Sequence, residues 1–318
     1  MRDPSHAVME NIEKKHNSCY FCGDEGYIFS RYELHDRAIR TEVTIQQQHE
    51  GWPGIPHGGI GMTSMLELAH ILDPSSIEYP LQTSFRFGGE SLSIGDSVDI
   101  EVDQQGRKYQ GSIIKKTGGH PYLKGLIDPK SPPENRATEQ DIMRIIKERV
   151  TNSNSLVMPN FSNRIIYNRE IQKKYQYRTF EFKELQDKRM YMQYTMDNNS
   201  NGKDSSELNR LNDDEVHPGA LITILDETLG WAGFFKSWQG GVTTNLHACF
   251  LRSVIPGEII FAIGICDRLY GSFSRKIVHC SGGIFVKKKG LPELVAYAEG
   301  KWLTKPEYKQ KMLRYLNV

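Results

Sequence analysis

The sequence has neither a long apolar run nor a marked excess of one charge. No apolar stretch approaches the ~18 residues that a membrane-spanning helix requires, and the formal net charge of the 318 residues is +1. We therefore expect neither nucleic acid nor a membrane as a partner, since both call for clustered charge or a long apolar segment. The stretch from Met1 to His6 contains no apolar secretory segment, which favours the cytoplasm.

Cysteine is too sparse for a disulfide framework, because only five cysteines are spread over a chain long enough for two domains of about 150 residues. Cys19 and Cys22 have the CxxC spacing of half a zinc site, but no second CxxC or close histidine pair follows. We expect a reduced, structural pair and no metal or other cofactor. A Gly-x-Ser-x-Gly motif is also absent, which excludes the nucleophile elbow of an α/β-hydrolase.

What the chain does contain is a repeat at a constant offset of 160 residues. The pairs that share this offset are His57 and His217, Gly59 and Gly219, Glu67 and Glu227, and Thr83 and Thr243. A shared offset over so many positions indicates one type of domain present twice. The repeated part is a His-Gly corner that opens an apolar helix carrying a carboxylate.

Each repeat is predicted to contain two strands, one long helix and then three or four more strands. In the first repeat these are strands 27–34 and 38–46, a helix from His57 to about Leu72, and strands 81–87, 97–103 and 108–116. In the second they are strands 177–185 and 189–196, a helix from Gly219, and strands 243–251, 259–268, 275–286 and 293–303. The predicted units are an N-terminal domain (1–127), a linker with a short helix at 138–150 (128–160), and a C-terminal domain (161–318) that contains a polar loop (197–213).

The two long helices carry unusual carboxylates. From Ala220 to Phe235 almost every residue is apolar or small, so that no face remains for solvent and the helix is predicted to be buried on all sides. A sheet wrapped round one buried helix would account for both the composition and the number of strands. Asp226, Glu227 and Glu67 lie within these helices, and carboxylates are rarely buried without a partner or a function.

These features resemble the hotdog fold, an α+β architecture in which an antiparallel sheet wraps round a central helix. The motifs resemble those of the phenylacetate-degradation-type branch of hotdog acyl-CoA thioesterases: a His-Gly-Gly corner, an acid nine positions after the histidine, a Val-Thr strand start and a Pro-Gly-Glu turn. The matching residues in the second repeat are His217, Gly219, Asp226, Val242-Thr243 and Pro256-Gly257-Glu258. In the first repeat His57-Gly58-Gly59 matches, and Cys19–Gly23 resembles a stretch often seen before such domains. Pro218 departs from the pattern, as does Leu66, which stands at the acid position one residue before Glu67.

The resemblance implies two tandem hotdog domains that pair within one chain and form two unequal sites. One site would combine His57, Gly58 and Gly59 with Asp226. The other would combine His217 and Gly219 with Glu67. Because Pro218 lacks an N–H and Leu66 replaces the acid, the second site is predicted to be inactive or reduced to binding. The family habit also suggests a homodimer of this chain.

The chemistry implied is hydrolysis of an acyl-CoA or acyl-carrier-protein thioester. Backbone N–H groups of Gly58 and Gly59 at the helix start would stabilise the oxyanion. Asp226 would act as base or as nucleophile, with a pKa raised by its apolar surroundings. Thr243 and Thr244 are candidate substrate contacts.

Several alternatives remain open at this stage. His57 and His217 could serve only to brace the turn before each helix, the glycines could serve only close packing, and Glu67 and Glu227 are expected to be structural. A hotdog hydratase or dehydratase is a second candidate, since His57 and Gly61 fit half of the His-x-x-x-Gly-x-x-x-x-Pro pattern. Leu66 replaces its proline, and Gly230 stands where a Gln or His would follow Asp226. A third candidate is a non-catalytic acyl-thioester binder.

Overall fold

The fold is described here from a computed structural model. It describes residues 8–10, 32–51, 54–88, 90–133, 136–147, 153–159, 177–195, 203–205, 208, 210–212, 214–272, 275–289 and 291–307. The Cys19–Cys22 pair, the beginning of the predicted strand 27–34 and most of the predicted polar loop lie outside the described residues.

The described elements follow the predicted order in both halves of the chain. The first half contains β1 (Val8–Glu10), β2 (Tyr32–Leu34), β3 (Ala38–Thr44), α1 (Gly58–Leu72), β4 (Leu81–Phe87), β5 (Ser97–Gln105), β6 (Lys108–Lys115), β7 (Pro121–Asp128) and α2 (Arg136–Lys147). The second half contains β8 (Asn154–Pro159), β9 (Tyr177–Glu184), β10 (Met190–Thr195), β11 (Lys203–Asp204), β12 (Arg210–Asn212), β13 (Glu215–Val216), α3 (Pro218–Ser237), β14 (Gly241–Phe250), β15 (Ile259–Ser272), β16 (Arg275–Lys288) and β17 (Leu291–Thr304). Short 3₁₀ turns flank α1.

One antiparallel sheet runs through both halves. Among the described residues its strands follow the order β1-β2-β3-β5-β6-β7-β4-β14-β17-β16-β15-β10-β9-β8, with β11 paired to β15 and a separate β12–β13 ladder. The central strands β4 and β14 join the halves, with Phe85 opposite Leu246 and Thr83 opposite Ala248. On either side of this junction the order β4-β7-β6-β5-β3 is mirrored by β14-β17-β16-β15-β10. The sheet therefore has the pseudo-twofold arrangement expected of two copies of one unit.

The two long helices are buried inside this sheet. In α3 every residue from Pro218 to Leu229 is buried, and in α1 every residue from Gly59 to Ala69 is buried, Glu67 and Glu227 included. Both helices are apolar on all sides because each packs against the sheet on one side and against the other helix on the opposite side. Within the described residues, no helix combines the length and the apolar character needed to cross a membrane.

The helices α1 and α3 are antiparallel and cross at two glycine–threonine contacts. A Cβ atom built on Gly59 would lie 2.4 Å from Thr223 Oγ1, and one built on Gly219 would lie 2.0 Å from Thr63 Cγ2. Thr63 Oγ1 also donates to the Gly219 carbonyl at 3.0 Å. Each corner glycine contacts a threonine in the second turn of the partner helix, so the beginning of each helix packs along the first half of the other.

The structure differs from the sequence-based prediction in the region between the two repeats. Pro121–Asp128 is a full strand (β7) that the sequence analysis did not assign, and it pairs with both β4 and β6. Asn154–Pro159 falls in the predicted linker, yet it forms β8 and extends the sheet of the second half beside β9. Helix α2 covers the outer face of that sheet, where Ile142 and Ile145 pack among outward-facing side chains. The domain limits at 127 and 160 themselves stay a prediction.

Gly219→Ala should destabilise the protein by about 1–3 kcal/mol, because the new methyl group would overlap Thr63 and push the helices apart. Urea denaturation of wild type and variant would measure this loss. Gly119→Ala is the matched control, since a Cβ atom there meets no atom within 4 Å. Equal unfolding midpoints for both variants would contradict the tight helix crossing.

Candidate active site

A cavity of about 640 Å³ lies where the two halves meet. Its walls come from the start of α1, the middle of α3, the start of β14 and the end of β17. The residues that line it include His57, Gly58, Phe87, Tyr122, Asp226, Glu227, Trp231 and Thr243. Residues of both repeats thus contribute to one cavity.

His57 caps the N-terminus of α1. The imidazole Nδ1 of His57 accepts a hydrogen bond of 2.9 Å from the Gly59 N–H. The backbone N–H of His57 donates to the His49 carbonyl at 2.8 Å. The expectation that both glycine amides are available to a ligand is therefore wrong for Gly59, because the imidazole already uses that N–H. For the Gly58 N–H, the described residues provide no hydrogen-bond acceptor, so this is the donor left at the helix start.

Gly58 is in close contact with the carboxylate of the other repeat. A Cβ atom built on Gly58 would lie 2.9 Å from Asp226 Oδ2 and 3.3 Å from Phe87 Cζ. A side chain here would fill the gap between the helix start and the carboxylate. Glycine therefore keeps open a space that is bordered by an N–H donor on one side and by an acid on the other.

Asp226 is held by one hydrogen bond and is otherwise surrounded by buried groups. Thr243 Oγ1 donates to Asp226 Oδ1 at 2.8 Å. Burial raises the pKa of Asp226 from its ordinary value of 3.8 to about 6, and the Thr243 hydrogen bond only partly opposes this shift. At neutral pH the group is therefore mostly a carboxylate, but one that is more basic than an exposed aspartate.

His57 and Asp226 are close but do not form an ion pair through Nδ1. The distance from Nδ1 to Asp226 Oδ2 is 3.9 Å, beyond a hydrogen bond. Since Nδ1 accepts the Gly59 N–H, it carries no proton that could be given to the carboxylate. The position of His57 is explained by capping, one of the alternatives that the sequence left open.

A β-bulge aims the two candidate threonines differently. The register of β14 against β17 shifts between Thr243 and Asn245. Thr243 consequently points inward to Asp226, whereas the Thr244 hydroxyl donates to the Lys301 carbonyl at 2.9 Å. Both residues border the cavity, but in this structure the Thr243 hydroxyl is engaged with Asp226.

The second predicted site, which combines His217 and Gly219 with Glu67, does not open into the cavity. His217 Nδ1 accepts the Gly219 N–H at 2.8 Å, as its counterpart does in the first repeat. On its far side, His217 Nε2 lies 2.7 Å from Glu67 Oε2, and both side chains are only 1% exposed. Neither residue, nor Gly219, borders the cavity. Pro218 stands where Gly58 stands in α1 and offers no N–H.

Several cavity residues were not found from the sequence. Tyr122 lies on the unassigned strand β7 and packs edge to face against Phe87, with ring centroids 5.6 Å apart. Burial, and then the charge of Asp226, raise the pKa of Tyr122. Trp302 closes the wall beside Gly230. Glu227, which was named from the sequence and expected to be structural, borders the same cavity as Asp226. The only sequence signal for Tyr122 was a short alternating segment after the last predicted strand.

Metal binding has no visible basis around this cavity. Over the part of the chain that the structure describes, His, Cys, Asp and Glu side chains do not gather in groups of three or more that could hold a metal ion. Cys249, Cys266 and Cys280 are buried, and none of them forms a disulfide bond within the described residues.

Comparison with known proteins is informative only at the level of structure. No protein-family profile and no curated protein matches the sequence. A candidate thioesterase from Novosphingobium aromaticivorans is similar in structure with a TM-score of 0.52 and 12% identity, over 86% of this chain and 97% of that one. A tesB protein from Mycobacterium avium subsp. paratuberculosis gives a TM-score of 0.51 and 14% identity, over 84% and 93% of the two chains. The dehydratase domain from the CurJ module of curacin polyketide synthase gives 0.51 and 10%, over 90% and 98%.

These similarities, together with the mirrored strand order and the two buried helices, define the fold. The chain is a double-hotdog protein, with two tandem hotdog domains paired under one continuous sheet. The predicted fold class is confirmed. At identities this low the likeness shows architecture and does not assign a reaction.

Asp226→Asn should stabilise the protein above about pH 7, by about 3 kcal/mol. The unfolded chain loses the Asp226 proton near pH 4 and the folded chain near pH 6. Wild type therefore loses stability as the pH rises between these values and keeps the deficit above them, while asparagine avoids it. Denaturation of both proteins at about pH 4 and pH 8 measures the difference. A gain of equal size at both pH values would contradict a raised pKa.

Proposed function

We propose that this chain hydrolyses acyl thioesters at the cavity between its two halves. The observation that carries the proposal is the gap at Gly58, where an unused backbone N–H of α1 and the basic carboxylate of Asp226 from α3 face one small space. Thioester hydrolysis needs these two groups on the same carbonyl: a donor for the oxygen and a base or nucleophile near the carbon.

The thioester carbonyl oxygen would accept the Gly58 N–H. The positive end of the α1 dipole points at the same place, so negative charge that develops on the oxygen is stabilised. A preorganised donor of this kind lowers the activation free energy by about 3 kcal/mol. Because His57 holds the Gly59 N–H, its role is to fix the helix start so that the Gly58 N–H points into the cavity.

Asp226 would then act on the carbonyl carbon. As a base it takes a proton from water while the hydroxide adds to the carbon; the C–S bond then breaks and the thiolate recovers the proton. As a nucleophile it adds to the carbon and the C–S bond breaks, which gives an acyl anhydride and a thiolate; water then cleaves the anhydride, restores the carboxylate and supplies the proton that the thiolate takes up. Thr243 fixes Oδ1 in both routes, which leaves Oδ2 for the reacting atoms.

The substrate class is an acyl-CoA or an acyl-carrier-protein thioester. Phe87, Tyr122 and Trp231 supply an apolar, aromatic wall suited to the acyl group. The neighbour from Novosphingobium aromaticivorans, which is named a candidate thioesterase, has the same fold, and this is consistent with the proposal without carrying it. Membership of the phenylacetate-degradation-type branch, a homodimer and a cytoplasmic location stay predictions.

A dehydratase or hydratase on acyl thioesters is the second candidate, and the proximity of His57 and Asp226 favours it. Such a reaction needs a base and an acid in one cavity. The capping bond to His57 Nδ1 leaves only the other ring nitrogen for that chemistry. Product analysis separates the two: a hydrolase releases a free thiol, whereas a dehydratase leaves the thioester intact and forms an enoyl product.

Asp226→Asn should lower kcat/KM for thioester hydrolysis by about 100-fold or more, because the amide keeps the shape but cannot act as base or nucleophile. In wild type the rate should fall as the pH drops below about 6, where Asp226 becomes protonated. Release of free thiol across a pH series measures both effects. Undiminished activity of the variant would instead favour a non-catalytic binder with a contaminating hydrolase.

Glu67→Gln should leave turnover within a few-fold of wild type, because Glu67 lies outside the cavity. It should instead lower the unfolding midpoint, since the substitution weakens a buried contact with His217. Parallel kinetics and thermal denaturation provide the two readouts. A collapse of activity in a folded Glu67→Gln protein, with Asp226→Asn tolerated, would place the working site in the other half.

A further inference from the structure

The outer face of the central sheet carries a cross-strand row of six side chains, of which four are Lys or Arg and one is His. Strand register places Lys124 opposite Arg86, Arg86 opposite Asn245, and Asn245 opposite Lys301. The row continues from Lys301 to His279 and from His279 to Arg268. We call these six residues the basic row. All four Lys and Arg side chains are exposed. Leu123, Phe85 and Trp302, which are adjacent in sequence to three of them, point into the core, and successive side chains of a strand point to opposite faces.

The Lys and Arg side chains of the basic row lack the paired carboxylates that accompany other cations on or beside this sheet. Arg40 pairs with Asp99, Lys115 with Asp96, and Arg252 with Glu258. Within the described part of the chain, no ion pair involves Lys124, Arg86, Lys301 or Arg268. Two acids lie beside the row. Asp267 lies 3.4 Å from Arg189 and also interacts electrostatically with His279, and Glu299 accepts a hydrogen bond from Thr138.

Such a row carries a folding cost. Like charges directly opposite each other on neighbouring strands are destabilising, and Lys124 faces Arg86 in this way. The chain as a whole has a net charge of only +1, so the clustering is local and does not reflect a basic protein. An acidic surface laid across the row would remove the repulsion.

The length of the row favours a protein over a nucleotide. It crosses six neighbouring strands, spaced about 4.8 Å apart, and is therefore about 24 Å long. A helix of about 16 residues has this length. The compact phosphates of a CoA molecule would reach only part of it.

The row lies next to the cavity. Leu303, two residues beyond Lys301 and thus about 7 Å along β17, borders the cavity, and so do Arg275 and Lys305. On the same outer face Leu303 is followed across the sheet by Ile277 and Tyr270, which are 37% and 45% exposed. A basic row beside an exposed apolar row has the composition of a docking surface for a protein.

We infer that the basic row docks an acidic carrier protein, which lays a carboxylate-rich helix across it and delivers its acyl group to the cavity on a prosthetic arm. This inference rests on the proposed thioesterase function and selects the carrier protein over CoA as the physiological donor. The row positions the carrier and takes no part in the chemistry.

The test compares Arg86→Glu/Lys301→Glu with Arg37→Glu/Lys287→Glu. Both double variants change the net charge equally, and Arg37 and Lys287 are exposed cations on other parts of the surface. Each protein is assayed with one acyl group carried by acyl carrier protein, by CoA and by pantetheine. The basic-row variant should raise KM for the carrier-protein substrate about tenfold or more, with kcat unchanged and the two small substrates unaffected. The control variant should behave as wild type, and added salt should narrow the difference.

Two kinetic results would overturn the inference: an unchanged KM for the carrier-protein substrate, or an equal rise for the CoA substrate. If wild type hydrolyses none of the three substrates, the proposed function fails by itself. Docking is then decided by titrating fluorescently labelled holo acyl carrier protein against the same proteins. Binding that weakens about tenfold in the basic-row variant alone would support docking, whereas equal binding or no binding to wild type would overturn it.

Discussion

The close crossing of α1 and α3 positions everything else in the cavity. Gly59 against Thr223 and Gly219 against Thr63 allow the helix backbones to approach until each helix start packs along the first half of its partner. Only at this separation does Gly58 meet Asp226, nine residues into α3. The continuous sheet then encloses both helices, and this burial is what raises the pKa of the Asp226 carboxyl. The close crossing of α1 and α3 therefore determines both where Asp226 lies and how far the pKa of its carboxyl is raised.

The two halves use the same scaffold for different ends. Both histidines cap their helix through Nδ1 and both corner glycines face a threonine of the partner helix. In one half the Gly58 N–H has no acceptor among the described residues, and glycine leaves a space beside Asp226. In the other, proline removes the N–H and the His217–Glu67 contact fills the interior. The start of α1 thus borders a cavity beside Asp226, whereas the start of α3 is packed into the core.

Much of the fold could be read from the sequence, because the 160-residue offset and the all-round apolar helices depend on local patterns. The strand Leu81–Phe87 and the end of α1 at Leu72 were predicted as found. Strands β7 and β8 were missed because their assignment depends on which strands they pair with. The pairing of Gly58 with Asp226 followed from the resemblance, but the capture of the Gly59 N–H by His57 depends on a rotamer that no sequence pattern specifies. The basic row could not be found from the sequence either, since its residues come from six strands and become neighbours only through the strand register.

The proposed oxyanion site consists of a single hydrogen-bond donor, the Gly58 N–H. Replacing the His57–Gly58 amide by an ester, with glycolic acid in place of glycine, removes this N–H without adding an atom to the cavity. The measurement is kcat for thioester hydrolysis by the ester variant, with its melting temperature as the check on folding. We predict a fall in kcat on the order of 100-fold with a melting temperature close to that of wild type. Full turnover by the folded ester variant would contradict the assignment of the oxyanion site to the start of α1.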